Sequence, residues 1–122
     1  MSLTLSQVQN ILQADIIVGE SMLDKKVEAA CGADLMSDVL SFVGDKTMLL
    51  TGLNNPHVIR TAEMLDVTAI VFVRGKRPGQ DIIDMAIERS IVLFSTTATL
   101  YEACGKLYKA GLPGKSERTN AK

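Results

Sequence analysis

The stretch Thr68-Ala-Ile-Val-Phe-Val-Arg-Gly-Lys-Arg-Pro78 decides the fold. Its first part is an apolar, β-branched run of strand length, and it ends abruptly in three cations gathered around a glycine. A helical pattern starts directly after the proline, with Ile82, Ile83, Ala86 and Ile87 spaced to face inward. The stretch therefore reads as a buried strand that delivers Arg74, Lys76 and Arg77 to one rim of a sheet. Two other apolar runs end in a similar way, one in Thr51-Gly-Leu-Asn-Asn-Pro56 and one, Ser90 to Phe94, in Ser95-Thr-Thr-Ala-Thr99.

Working outward, strands and helices alternate from residue 46 to 109, the pattern of βαβ units on a mainly parallel sheet. Asn55-Pro56 supplies an N-cap followed by proline at the first helical position, and that helix carries Ile59, Ala62 and Leu65 inward. Thr99 and Glu102 have capping-box spacing before a last helix holding Leu100, Ala103, Cys104 and Leu107. Upstream, Leu5, Val8, Ile11 and Leu12 share a helical face, with Thr4 and Gln7 or Ser6 and Gln9 spaced as a capping box. Asp15 to Gly19 reads as a brief buried strand, Glu20 to Lys26 as turn, and Val27 to Gly32 as another strand. Asp34 is placed to cap a helix whose Leu35, Val39, Leu40 and Val43 lie on one face until Gly44. The expected architecture is α/β: a mostly parallel, mixed sheet of about five strands covered by helices in three layers. One domain is expected over residues 1–112. From Gly111 onward the chain has few apolar residues, so residues 113–122 are expected to be a disordered polar tail.

Composition narrows the function classes. With 122 residues the chain suits one core, and 47% apolar against 22% charged residues is a globular balance. The formal charge of −1 sets up no global field toward nucleic acid or an anionic membrane, and no aromatic platform accompanies the local cations. No stretch reaches the roughly 18 apolar residues of a membrane span. Cys31 and Cys104 stand far apart and His57 is the only histidine, so a structural zinc site, which usually takes four such ligands, is disfavoured and no metal or cofactor is expected. The cysteines read as small core residues in a cytoplasmic protein with reduced thiols.

In open parallel sheets ligands tend to bind beyond the carboxyl ends of the strands. The candidate contacts there are Asn54, Asn55, Arg74, Lys76, Arg77, Thr96 and Thr97, the cations meeting an anion and the others donating hydrogen bonds. Val73-Arg-Gly-Lys-Arg-Pro-Gly79 lacks the two-glycine frame ending in Lys and Ser or Thr that wraps a triphosphate, which disfavours nucleotide hydrolysis. His57 has no Ser or Cys nucleophile and orienting carboxylate that the sequence can pair to it. No residue constellation specifies a reaction.

The segments Thr51-Gly-Leu-Asn-Asn-Pro56, Ala69-Ile-Val-Phe-Val-Arg-Gly-Lys-Arg-Pro78 and Ile91-Val-Leu-Phe-Ser-Thr-Thr-Ala-Thr99, in this order, resemble the DRTGG domain family, similar in turn to the amino-terminal domain of HPr kinase/phosphorylase. The likeness covers roughly residues 8–110. It implies a small α/β domain that is regulatory and dimerising rather than catalytic. The run for which the family is named is replaced here by Gly44-Asp-Lys-Thr-Met48 and Val73-Arg-Gly-Lys76. The expected function is thus a non-catalytic regulatory or interaction domain, a homodimer, sensing a nucleotide or another phosphate-containing metabolite, or a protein partner, at the rim. The alternative is an accessory substrate-binding domain of an acyl- or phosphotransferase-type enzyme.

Overall fold

The computed structural model describes residues 2–37, 39 and 46–114. In chain order the elements are β1 (Leu3–Thr4), α1 (Leu5–Leu12), β2 (Asp15–Val18), β3 (Lys26–Val27), β4 (Ala29–Gly32), β5 (Thr47–Thr51), α2 (Pro56–Met64), β6 (Ala69–Phe72), α3 (Gln80–Arg89), β7 (Val92–Ser95) and α4 (Leu100–Lys109). Residues 36, 37 and 39 are also helical. The main sheet has the order β2-β7-β6-β5-β4, with β4 to β7 parallel and β2 antiparallel to β7. β1 and β3 form a separate antiparallel ribbon.

The expected three-layer arrangement holds because each inner strand is apolar on both sides. Met48, Leu50, Ala69, Val71, Val92 and Phe94 point to a core built with Leu5, Val8 and Leu12 of α1 and Ala103 and Leu107 of α4. Leu49, Ile70, Phe72 and Leu93, the alternating residues, point to a second core with Val58, Ile59 and Ala62 of α2 and Ile82 and Ala86 of α3. A strand wedged between two helical layers can carry no exposed polar face, which is why β6, the middle strand, reads as an unbroken apolar run.

The local punctuation is as expected. Thr4 and Gln7 form a capping box on α1, Thr99 and Glu102 another on α4, and Asn55 caps α2 with Pro56 in its first turn.

Four expectations are corrected. β2 is an edge strand rather than a buried one: Asp15 is exposed, and Ile16 and Ile17 are only half-buried because no strand among the described residues pairs beyond them. Leu35 is 61% exposed and Met36 turns inward in its place, while Val39 is buried as expected. The reason is that Ala33 still donates to the Leu50 carbonyl as an extension of β4, so the helical residues start one position later. Ile87 is 60% exposed, since five residues beyond Ile82 a helix has turned by about 140° off the buried stripe. Finally, the chain does not fray from Gly111: Leu112 is buried, the Pro113 carbonyl accepts from the Ala30 amide at 3.0 Å, and Gly114 bridges to Ala30. Leu40, Val43 and Gly44, and residues 115–122, lie outside the described residues.

Candidate ligand-binding rim

Because β5, β6 and β7 are adjacent and parallel, their carboxyl ends deliver the loops after Thr51, Phe72 and Ser95 to one edge of the sheet. Backbone bonds knit these loops together. The Arg74 amide donates to the Ala98 carbonyl and the Gly75 amide to the Thr96 carbonyl, both at 2.8 Å, while the Val73 amide donates to the Thr51 carbonyl at 3.1 Å. Arg74 and Gly75 both take left-handed backbone (φ +57° and +71°), the turn that lets the chain reverse above the end of β6. The segments around Asn55, Lys76 and Thr97 therefore share one rim.

Hydrogen bonds divide the expected contact residues into two groups. The Asn54 side-chain amide donates to the Arg77 carbonyl at 2.9 Å, and the Asn55 side chain accepts from the His57 amide at 2.9 Å as the cap of α2. Thr96 is buried, and its hydroxyl donates to the Leu12 carbonyl at 2.9 Å, tying the rim to the end of α1. Arg77 holds Asp15 through Nη1 and Oδ2 at 2.9 Å, with both side chains largely in water. Arg74, Lys76 and Thr97 are exposed, and among the described residues their side chains make no hydrogen bond or ion pair. The Arg74 guanidinium lies over Gly52, where a Cβ would stand only 2.6 Å from Nη2.

Two rim carboxylates escaped the sequence reading. Asp15 arrives on the antiparallel strand β2, opposite Ser95. Asp34, expected to cap a helix, instead accepts from the Thr51 hydroxyl at 3.0 Å and the Gly52 amide at 2.8 Å, pinning the start of the first rim loop. No local signal reveals either role, because each partner lies 17 or more residues away. Ser95 donates to the Lys76 carbonyl at 2.7 Å. The first turn of α3, capped by no side chain at Gly79, follows the cationic loop and carries Asp81.

Chemically, the rim offers two unneutralised cations beside an exposed hydroxyl. The Thr51 hydroxyl, which donates to Asp34, is buried, and the exposed Thr97 hydroxyl has no paired base among the described residues. Among the described residues no three His, Cys, Asp or Glu side chains gather to hold a metal, and no helix is long and apolar enough to cross a membrane. Cys31 and Cys104 are half-buried and form no disulfide, and burial pushes the Cys104 thiol above its ordinary range.

The fold is similar to that in the crystal structure of the CBS and DRTGG domains of the regulatory region of Clostridium perfringens pyrophosphatase, complexed with its activator diadenosine tetraphosphate. The TM-score is 0.70 at 18% sequence identity, over 90% of this chain and 47% of that one. The present chain thus spans about half the length of that relative. No curated protein matches the sequence. The DRTGG domain family matches residues 7–110, nearly the whole of the described fold, and the chain belongs to that family.

Proposed function

We propose that this chain is a non-catalytic regulatory domain that senses a nucleotide or a similar phosphate-bearing metabolite at its strand-end rim, acting as a homodimer in the cytoplasm. The observation that carries the ligand is the pair Arg74 and Lys76, exposed, without side-chain partners among the described residues, and mounted on a turn held by two backbone hydrogen bonds. A cation held in place without a counter-ion gains most from an arriving phosphate, and arginine can meet it with two parallel hydrogen bonds. Thr97 adds a hydroxyl donor, whereas Thr96 and Asn55 hold the rim in shape. The relative that carries a dinucleotide activator in its regulatory region points to the same ligand class. Support for the cytoplasmic setting is that neither Cys31 nor Cys104 is held in a disulfide.

Isothermal titration with diadenosine tetraphosphate, adenine nucleotides and uridine nucleotides tests the reading. Binding of at least one is expected, and Arg74→Ala should weaken it by roughly 1–3 kcal/mol as a charged hydrogen bond is lost. No heat with any of them, or equal affinity in the variant, defeats the proposed site.

A further inference from the structure

Helix α4 has a face that nothing among the described residues covers. Ala103 and Leu107 turn into the core, while Tyr101, Gly105 and Tyr108, spaced four and three apart, form one outward stripe. Tyr101 is 88% exposed and Tyr108 73%. Nothing lies within 4 Å of the place a Cβ on Gly105 would occupy, so no intramolecular crowding calls for glycine there, and a mid-helix glycine weakens its helix. Beside the stripe a groove of about 580 Å³ runs between α4, Gly32 of the edge strand β4, and Leu112 and Pro113. Glu102, in the first turn, and Lys109, in the last, lie on the side of Gly105 away from the two tyrosines and also border the groove.

We propose that this face is the contact between two copies of the chain, with α4 crossing its own copy antiparallel at Gly105. The inference rests on the homodimer reading above and names its surface. The charges set the direction: an acidic first turn and a basic last turn attract in antiparallel order and repel in parallel order, and the helix dipoles agree. The register also closes on itself. With a two-fold axis at Gly105, Glu102 lies about 4.5 Å along the helix on one side, and Lys109 of the partner subunit lies about 6 Å along on the same side and the same flank. By the same operation Tyr101 meets Tyr108 of the partner subunit on the opposite flank, over the groove. Both bonds from Thr99 go to Oε1 of Glu102, which leaves Oε2 for the lysine. Glycine at the crossing lets the two backbones approach closely. One patch thus supplies both halves of an isologous interface.

Sedimentation equilibrium of the full chain and its variants tests this. The wild type should dimerise. Gly105→Leu should raise the dimer dissociation constant at least about tenfold, as a truncated or blocked hot spot does, without lowering the melting temperature of the monomer. Glu102→Lys and Lys109→Glu should each lose the homodimer, and a mixture of the two should recover a one-to-one heterodimer, because each reversed charge then faces its opposite. A wild-type dimer untouched by Gly105→Leu and by both reversals overturns the α4 surface and leaves the homodimer reading standing. A wild type that stays monomeric overturns both.

Discussion

The strand-end rim and the outer face of α4 lie on the same small domain and are organised in opposite ways. At the rim most polar side chains are committed to the protein itself: Thr96 to Leu12, Asn55 to the His57 amide, Asp34 to Thr51 and Gly52, and Arg77 to Asp15. Along α4 the large side chains have no such commitments, and Tyr101 and Tyr108 stand almost wholly in water. Residue types that can bind are therefore a poor guide to which side chains are still open to a ligand. A hydrogen-bonding side chain already satisfied by a backbone group gains little by releasing it to a ligand, whereas one facing solvent has only water to exchange. At the rim this leaves Arg74, Lys76 and Thr97; on α4 it leaves the tyrosine stripe.

The contrast can be broken by substitutions that remove a committed group on one side and a free one beside it. The largest effect is expected from Thr96→Val, which strands the buried Leu12 carbonyl and should lower stability by about 1–3 kcal/mol in urea unfolding, while neighbouring Thr97→Val should stay within about 0.5 kcal/mol. Equal losses would mean that the two threonines are not divided as described. Next comes Thr99→Ala, which removes the capping box of α4 and should cost about 1 kcal/mol by the same measurement. The smallest effect concerns pH. Hydrogen bonds from the Thr99 amide and hydroxyl hold the Glu102 carboxyl below its ordinary range, so its contribution is fully present above about pH 4.3, the unfolded value, and fades as pH falls through the folded value. Acid titration of wild type against Glu102→Gln should show this fading only in the wild type.

Much of the fold was legible because its signals are local. The Thr4–Gln7 and Thr99–Glu102 boxes and the Asn55-Pro56 pair each lie within a few residues, and the apolar runs of β5, β6 and β7 follow from double-sided burial. The misreadings fall where a distant partner overrides a local pattern. Asp34 has a cap's spacing to the helical residues after it, but the ends of β5 compete for its carboxylate and win. Leu112 sits in a segment with little hydrophobic content, yet the edge of β4 gives it a place to bury. Of the candidate site, the positions of the three loops could be read from strand ends. Which side chains remained free could not, since that depends on Asp15 and Leu12, contributed by parts of the chain 62 and 84 residues away.

The antiparallel edge strand has a consequence for how the molecule assembles. β2 occurs before residue 20, but among the described residues it pairs only with β7, through Asp15↔Ser95 and Ile16↔Phe94. Loop closure over such a separation must precede any reward from the pairing, and contacts of this kind slow the search for the native topology. On the ribosome, residues 15–18 have no strand to join until β7 has emerged, so the parallel pairings of β4, β5 and β6 can form before β2 is locked in.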